Sequence, residues 1–356
     1  MSLQETIEEK KRLEKKYGTG TKEGKRKRIM RDALVAYPQK QFLLGDIVDI
    51  VEGYIGKSFE GESAMTLEKH TSPVFSVCAL MDGRLASGSA DNTINIWNLH
   101  TRESQTLNGH ASHVKSICEL GDGILASGSG DRTIRIWDLS KGGGCAQRLN
   151  GHTDSVNSVC AMGDGRHLAS SSSDKTIRIW DLNKRGVCVK TLTGHTDTIE
   201  SVCELGVGIL ASGGFDKTVR IWDLNSRKGK ECLLTLTGPK FVRSVCALGD
   251  GQFATGSYDS TIRIWDLRKG GECVQALTGP EYKRSSTGAN MSVCAMGDGR
   301  LASGSNDNKI RIWDLSKGGK CVQELTGHTS SVWAVDVLGD GRLASGSFDN
   351  TIRIWE

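Results

Sequence analysis

Serine, histidine and aspartate recur together in this sequence at spacings that could support nucleophilic catalysis. Ser127 follows His110 by 17 residues, Asp131 comes four residues later, and Trp137 follows six residues after that. A histidine that accepts the proton of a serine hydroxyl, and is itself oriented by an aspartate, is the arrangement that makes serine a nucleophile. Taken alone, this set predicts acyl-transfer chemistry.

The same four residue types return at four other places in the chain, which argues against a catalytic role. The further copies are Ser87, His70, Asp91 and Trp97; Ser170, His152, Asp174 and Trp180; Ser212, His195, Asp216 and Trp222; and Ser345, His328, Asp349 and Trp355. Buried polar side chains must be hydrogen-bonded wherever they occur. The repetition therefore predicts a structural hydrogen-bond network. No other nucleophile motif or phosphate-binding loop stands out, so neither an enzyme nor a cofactor is predicted.

An Ile-Trp pair marks a repeat that organises most of the chain. Its tryptophans are 40 to 48 residues apart, at Trp97, Trp137, Trp180, Trp222, Trp265, Trp313 and Trp355. A period in this range is typical of repeat architectures. With the Gly-His pair before the tryptophan and the aspartate six residues ahead of it, each unit resembles the WD-repeat family, whose members fold as β-propellers. The resemblance covers residues 63–356 and implies an all-β, seven-bladed propeller.

Each unit predicts four short antiparallel strands. In the third unit these span residues 155–161, 167–172, 176–181 and 187–192, separated by Gly-Asp and Ser-Asp turns whose residues tolerate positive φ. The seventh unit stops one residue after its third strand. Residues 64–70 match the end of an outer strand in their Thr, Leu and His positions, so we expect this N-terminal segment to complete the last blade and close the ring.

The first 60 residues differ in composition from the repeats and predict a small, partly flexible α-helical head before a propeller domain over residues 61–356. Residues 28–37 and 41–55 place apolar side chains at helical spacing around Pro38. Two such amphipathic helices must bury their apolar stripe against each other, the propeller or another chain. Residues 28–55 are therefore a candidate for self-association or for a second partner.

The charge balance and the cysteine pattern narrow the function further. The chain has 46 Lys and Arg against 42 Asp and Glu, a net charge of +4, which gives no general attraction to nucleic acid or membranes. Its 11 cysteines occupy two recurring strand positions without metal-ligand spacing, which favours buried apolar filler over a metal site. We expect a cytoplasmic protein. The basic run at residues 25–28 is either a nuclear localisation signal or a solvated helix start.

Residues on the narrow face of the propeller are the candidate binding residues. In the family geometry that face receives the residues just after the Gly-His loop and the residue before the turn aspartate. Six aromatic side chains fall at these positions, although only 6% of the chain is aromatic. Aromatic residues and arginine dominate binding hot spots. The predicted partner-binding residues are Phe75, Lys115, Phe215, Phe241, Arg243, Tyr258, Trp333 and Phe348.

These aromatics fall into two expected groups. Phe75, Trp333 and Phe348 belong to units one and seven, which become neighbours when the ring closes. Phe241, Arg243 and Tyr258 all belong to unit five. Units five and six also lack the histidine, because Gly238 and Gly279 are followed by proline. The loop that leads from this position into the first strand of a unit, here called the entering loop, is longer in unit six. These two departures are equally consistent with a functional role and with drift.

The sequence therefore predicts a non-enzymatic protein-interaction scaffold or adaptor that presents a peptide- or domain-binding face. Two alternatives remain open: the substrate-recognition subunit of a ubiquitin ligase, with the head as its docking element, and a signalling subunit that resembles the G-protein β subunit. Basic loops on the opposite face are interleaved with acidic turns and have no aromatic side chains for stacking, so nucleic-acid binding is not favoured.

Overall fold

The computed structural model describes residues 63–226, 231–238, 240–278 and 289–356. These residues form seven four-stranded antiparallel sheets. The innermost strand of each sheet packs against the innermost strands of both neighbouring sheets, and the last sheet packs against the first. The result is the expected all-β, seven-bladed propeller. The predicted helical head lies outside the described residues.

The strands of the first four blades follow the chain from the innermost strand outwards. Blade 1 contains β2 (Val74–Ala79), β3 (Leu85–Ser89), β4 (Ile94–Trp97) and β5 (Ser104–Leu107); blade 2 contains β6 (Val114–Gly121), β7 (Ile124–Ser129), β8 (Thr133–Asp138) and β9 (Gly144–Asn150); blade 3 contains β10 (Val156–Ala161), β11 (His167–Ser172), β12 (Ile177–Asp181) and β13 (Val187–Leu192); blade 4 contains β14 (Ile199–Gly206), β15 (Ile209–Gly214), β16 (Thr218–Asp223) and β17 (Cys232–Thr237).

The remaining blades repeat this order, except that blade 7 takes its outer strand from the N-terminal end of the described chain. Blade 5 contains β18 (Val242–Gly249), β19 (Gln252–Ser257), β20 (Thr261–Asp266) and β21 (Glu272–Thr278); blade 6 contains β22 (Asn290–Ala295), β23 (Arg300–Ser305), β24 (Ile310–Asp314) and β25 (Lys320–Leu325); blade 7 contains β26 (Val332–Val337), β27 (Leu343–Ser347), β28 (Thr351–Trp355) and β1 (Ser63–Glu68). Single turns of 3₁₀ helix occur at Leu139–Lys141, Leu182–Lys184, Leu267–Lys269 and Leu315–Lys317.

Strand β1 is the outer strand of blade 7. It pairs antiparallel with β28, so that Leu67 lies opposite Ile352 and Glu68 opposite Thr351. Leu67 is buried together with Ile352 and Ile354 of the last blade. Residues from the two ends of the described chain therefore share one sheet, which leaves β28 without an open edge.

The core lies between successive blades because the third strand of each unit alternates apolar and polar side chains. Between blades 1 and 2, for example, Ile94 packs with Val114, Leu125 and Trp137. A glycine in the second strand allows this close approach. A Cβ atom on Gly128 would lie 2.7 Å from the Val156 side chain of the next blade. Gly88, Gly213, Gly304 and Gly346 approach a valine of the next blade in the same way, while blade 3 has Ser171 at this position.

Among the described residues, no helix is both long and apolar enough to cross a membrane.

Candidate partner-binding face

The repeated serine, histidine, aspartate and tryptophan form one hydrogen-bond chain within each blade that contains the histidine. In blade 2, Trp137 Nε1 donates to Ser127 Oγ at 2.8 Å, and the serine Oγ lies 2.7 Å from His110 Nε2. His110 Nδ1 lies 2.8 Å from Asp131 Oδ2. An ionised aspartate only accepts hydrogen bonds, so the chain runs in one direction: tryptophan to serine, serine to histidine, histidine to aspartate.

This network is structural, because its serine is inaccessible. Ser127 has no exposed surface, and its oxygen already serves both Trp137 and His110. Burial alone would raise the pKa of Asp131, but the hydrogen bonds from His110 and Thr133 outweigh it and hold that pKa well below its ordinary value. The same directions hold for the aspartates of the other four copies, at Asp91, Asp174, Asp216 and Asp349. The carboxylates thus stay charged and fasten the entering loop to the turn.

A β-bulge at the start of each innermost strand supplies the side chains at the mouth of the central channel. In blade 1 the register shifts between Val74 and Ser76, so Phe75 is the extra residue. A bulge re-aims the side chain that it inserts. The equivalent shifts leave one residue in each of the other blades. We call this set the mouth ring: Phe75, Lys115, Asn157, Glu200, Arg243, Met291 and Trp333.

The mouth ring surrounds a single cavity of about 430 Å³. All seven of its members line this cavity, together with Phe348 and His113. Its polar members are linked in pairs: Lys115 Nζ donates to Asn157 Oδ1 at 2.9 Å, and Arg243 Nη1 lies 2.9 Å from Glu200 Oε2. The mouth is therefore half polar and half apolar, although the blades that form it are close copies.

Three aromatic side chains from blades 7 and 1 form the apolar half, which we call the seam cluster. The ring centroid of Trp333 lies 4.6 Å from that of Phe348 and 5.0 Å from that of Phe75. The guanidinium carbon of Arg243 lies 4.1 Å from the Trp333 ring centroid. Because Arg243 also pairs with Glu200, a continuous contact runs across the channel mouth from blade 4 to blade 7.

A second group of aromatic side chains, the blade 4–5 cluster, consists of Phe215, Phe241 and Tyr258. The Phe241 ring centroid lies 5.0 Å from that of Phe215 and 5.8 Å from that of Tyr258. Phe241 and Phe348 are both 36% exposed, so each cluster presents an aromatic face to solvent.

The rim of the channel mouth is stabilised by a backbone hydrogen bond that recurs in each blade. In blade 5 the Tyr258 N–H donates to the Phe241 carbonyl at 3.0 Å, and in blade 7 the Phe348 N–H donates to the Ser331 carbonyl at 2.9 Å. The turn residue is thereby fixed beside the entering loop. This explains why the two kinds of position selected from the sequence lie on the same face.

The sequence matches the family model described as WD domain, G-beta repeat in seven places: residues 61–98, 101–138, 143–181, 186–223, 230–266, 271–314 and 319–356. The chain belongs to the WD40 repeat family. WD40 propellers generally act as protein-interaction scaffolds and are generally non-enzymatic. No curated protein matches this chain significantly.

The structure of this WD40 propeller differs from the sequence prediction in the position of Arg243. The prediction grouped Arg243 with Phe241 and Tyr258, whereas its guanidinium contacts Glu200 and Trp333. The bulge directs Arg243 into the channel mouth, while Phe241 lies in the preceding loop. Lys115, Phe75, Trp333 and Phe348 share the mouth cavity. The sequence contained no signal for the contact between blades 5 and 7.

Blades 5 and 6 replace the absent histidine with an arginine from the third strand. Arg263 Nη2 lies 2.7 Å from Asp259 Oδ2 in blade 5, and Arg311 Nη2 lies 2.7 Å from Asp307 Oδ2 in blade 6. In blade 2 the equivalent Arg135 instead lies over the Gly-His loop, where its Nη1 would be 3.0 Å from a Cβ on Gly109. The arginine at this strand position therefore packs over the Gly-His loop where the histidine is present, and pairs with the turn aspartate where the histidine is absent.

The seam between blades 7 and 1 also departs from the repeat. At the other six blade junctions a serine Oγ of one innermost strand accepts an N–H of the next, as from Ile117 N to Ser76 Oγ at 3.0 Å. Blade 7 has Ala334 at this position. Instead Asp336, which occupies the cysteine position of the other units, accepts the Ala79 N–H at 2.8 Å. Burial raises the pKa of Asp336 to about 6, against the lowering effect of the Ala79 and Val337 N–H groups.

The cysteines behave as two groups. Those on the innermost strands are held as thiols, because burial raises the pKa of Cys160 and Cys246 to about 11. The expectation that both cysteine positions fill buried space is wrong for Cys145 and Cys273 of the outer strands, which are exposed, while Cys188, Cys232 and Cys321 are half-buried. An outer strand has solvent on its free side. Across the described part of the chain, no group of three or more His, Cys, Asp and Glu side chains is arranged to hold a metal ion.

Proposed function

We propose that this chain is a non-enzymatic scaffold or adaptor that binds a peptide segment or a domain on the narrow face of its propeller. The observation that carries the proposal is the seam cluster. Trp333, Phe75 and Phe348 are held in mutual contact at the channel mouth, where Arg243 fixes the indole from the opposite side. Aromatic side chains that are already ordered bury a large area on binding at little entropic cost.

The blade 4–5 cluster extends the proposed surface. Phe241 is exposed and in contact with Phe215 and Tyr258, so that a partner at the mouth could also contact these rings. Outside the two clusters, the exposed large apolar residues that the structure describes are aliphatic and are spread over several blades, as are Val187 on β13, Leu233 on β17 and Val322 on β25. Scattered apolar side chains of that kind are common on protein surfaces, whereas grouped aromatics mark interaction sites.

The narrower predictions depend on residues outside the described part of the chain. A second partner or self-association through residues 28–55, and the ubiquitin-ligase and G-protein-β-like alternatives, all concern the N-terminal head. A cytoplasmic location, with nuclear entry through residues 25–28 as an alternative, likewise stays a prediction.

Replacing Trp333 with alanine tests the proposal. We expect Trp333→Ala to remove the proteins that the full-length chain captures from a cell extract, because the indole links the seam cluster to Arg243. Quantitative mass spectrometry of the captured proteins measures this loss. The melting temperature should change by only a few degrees, because Trp333 lies outside the tryptophans buried between blades.

Two comparisons make the result interpretable. Phe348→Ser tests the same cluster at its more exposed ring, and Val187→Ser removes an exposed apolar side chain from an outer strand as a matched control. Retention of the same proteins by Trp333→Ala and Phe348→Ser at an unchanged melting temperature would exclude the seam cluster as the binding surface.

A further inference from the structure

We propose that the mouth cavity binds a peptide segment in which an apolar side chain adjoins a single carboxylate, and that Lys115 binds this carboxylate while the seam cluster binds the apolar side chain. The inference rests on the proposed function and adds to it the chemistry of the partner.

Lys115 has a charge but only a neutral hydrogen-bond partner. Its Nζ donates to the amide oxygen of Asn157 at 2.9 Å, and among the described residues no carboxylate forms an ion pair with it. Burial lowers the pKa of Lys115, and Arg243 adds to this effect, while Glu200 and Asp154 act from a distance in the opposite direction. An ammonium group that has lost part of its hydration gains from a carboxylate in direct contact.

The one acidic member of the mouth ring is already neutralised. Glu200 Oε2 lies 2.9 Å from Arg243 Nη1, and both side chains are only 13% exposed. Lys115 and Arg243 against Glu200 leave the ring with one unbalanced positive charge. The unbalanced charge belongs to Lys115, because Arg243 and Glu200 pair with each other. A single anionic group is therefore complementary to the mouth.

The apolar half of the cavity lies next to this cation. Phe75 of blade 1 is the neighbour of Lys115 in the mouth ring, and the ring of His113, two residues before Lys115, lies 5.8 Å from the Phe75 ring. Trp333 and Phe348 continue the wall on the other side of Phe75. A side chain against this wall and its neighbour in the same peptide can thus contact the two halves at once. The cavity of about 430 Å³ is of the size that holds small ligands and side chains.

A carboxylate fits this site better than a phosphate group. Phosphate carries up to two charges and is usually bound by clustered arginines that donate in pairs. Here one lysine provides a single point charge, the arginine is already engaged, and Glu200 would repel a second negative charge. Phosphopeptide binding is therefore an outcome that would contradict the inference.

A selection experiment on the full-length chain tests the inference. A phage library of random dodecapeptides is selected on immobilised wild-type protein, on Lys115→Met and on Trp333→Ala. We expect wild-type protein to enrich peptides with Asp or Glu beside a large apolar residue. Lys115→Met should lose the acidic preference and keep the apolar one, and Trp333→Ala should enrich no family. Lys141→Met is the matched control, because Lys141 lies at the opposite end of its blade and is 81% exposed.

Titration of one selected peptide then measures the contact itself. Fluorescence anisotropy measures the dissociation constant of this peptide and of a second peptide in which the acidic residue is replaced by its neutral amide. The replacement should weaken binding to wild-type protein about tenfold or more, as expected for loss of a partly buried charge pair. The amide peptide should bind wild-type protein and Lys115→Met equally. The comparison of the acidic and amide peptides uses wild-type protein alone, so it does not depend on how the variant folds.

The outcomes separate the two proposals. Selected peptides without an acidic residue, equal binding of the acidic and amide peptides, or preference for a phosphoserine peptide would overturn the carboxylate inference and leave the narrow-face scaffold standing. Peptide families that Trp333→Ala and wild-type protein enrich equally, or no enrichment by wild-type protein, would also overturn the inference. The scaffold proposal, which includes binding of a folded domain, would then be decided by the capture experiment with Trp333→Ala and Phe348→Ser.

Discussion

A single arginine position shows how residue-level chemistry differs among nearly identical blades. In blade 6 Arg311 is only 2% exposed and pairs with both Asp307 and Glu324. Arg135 of blade 2 is half-buried, and its Nη1 donates to the Cys145 sulfur at 3.5 Å. The histidine of blade 2 already occupies the position beside the aspartate. Arginine moves inwards where no histidine competes for that carboxylate.

This difference predicts unequal effects of one substitution. Arg311→Met should lower the free energy of unfolding by about 2–3 kcal/mol, because it leaves Asp307 without its cation, whereas Glu324 keeps Lys309 Nζ at 2.8 Å. Arg135→Met should cost about 1 kcal/mol or less, since methionine retains most of the packing over Gly109. Urea unfolding of both variants measures the two values. Equal losses would show that Arg311 does not replace the histidine.

The Ser-His-Asp-Trp network could be predicted at this scale because repetition excludes five separate active sites. The replacement of the histidine by an arginine in blades 5 and 6 could not be predicted from the repeat. Every unit after the first has arginine two residues before its tryptophan, and the sequence does not show which rotamer each arginine adopts. A signal was nevertheless present: Gly-Pro replaces Gly-His in the two units where Arg263 and Arg311 turn inwards.

Among the elements, the innermost strands determine both the channel mouth and the seam. Strand periodicity predicted strand positions to within a residue or two, as for the innermost strand β10 and the outer strand β13 of blade 3. It could not predict the bulges, because the inserted residue has no fixed type: Phe75, Asn157 and Met291 occupy equivalent positions. The bulge follows from hydrogen-bond register, which only the folded sheet specifies.

Strand β26 gives the seam between blades 7 and 1 a pH dependence. The pKa of Asp336 is about 6 in the folded protein, above its ordinary value of 3.8. The native state therefore holds this proton more tightly than the unfolded chain does, and the resulting stabilisation is present below about pH 4 and lost as the pH rises through about 6. At neutral pH the ionised carboxylate makes the closing junction less stable than it is in mild acid.

Asp336→Asn should remove this dependence, because asparagine retains an oxygen that can accept the Ala79 N–H and has no charge. Melting temperatures at pH 5, 6 and 7.5 measure the effect. Between pH 5 and pH 7.5 we expect the variant to gain about 1.4 kcal/mol of stability relative to wild-type protein, because about one pKa unit of the shift is expressed over that range. Parallel pH profiles for the two proteins would contradict the role of Asp336 at the seam.

At the scale of the whole molecule, a nearly symmetric ring presents an asymmetric face. The seven innermost strands have closely similar sequences, yet the mouth ring has aromatic residues in blades 7 and 1, charges in blades 2, 4 and 5, and an amide in blade 3. The repeated residues build the frame, and the residues that differ between units face the channel mouth. Specific binding needs this asymmetry, because seven equal sites could not distinguish one orientation of a partner from another.

The sequence predicted the fold and the residues of this face, but it did not predict how they group. Trp333 and Phe348 could be expected near Phe75 once the ring closes. The contact of Arg243 with Trp333 could not, because it depends on the width of the channel and on the bulge. The chemical identity of the partner depends on such contacts, which is why it follows from the structure and not from the repeat.

Hydrogen–deuterium exchange of the full-length chain, with and without a captured partner, locates the binding surface directly. We expect the partner to protect backbone amides in the entering loops and turns of the narrow face, around Phe75, Phe241, Tyr258 and Phe348. Amides of the outer strands β13 and β17, and of the loops at the opposite end of the blades, should exchange at unchanged rates. Protection confined to those outer strands or opposite loops would contradict the account.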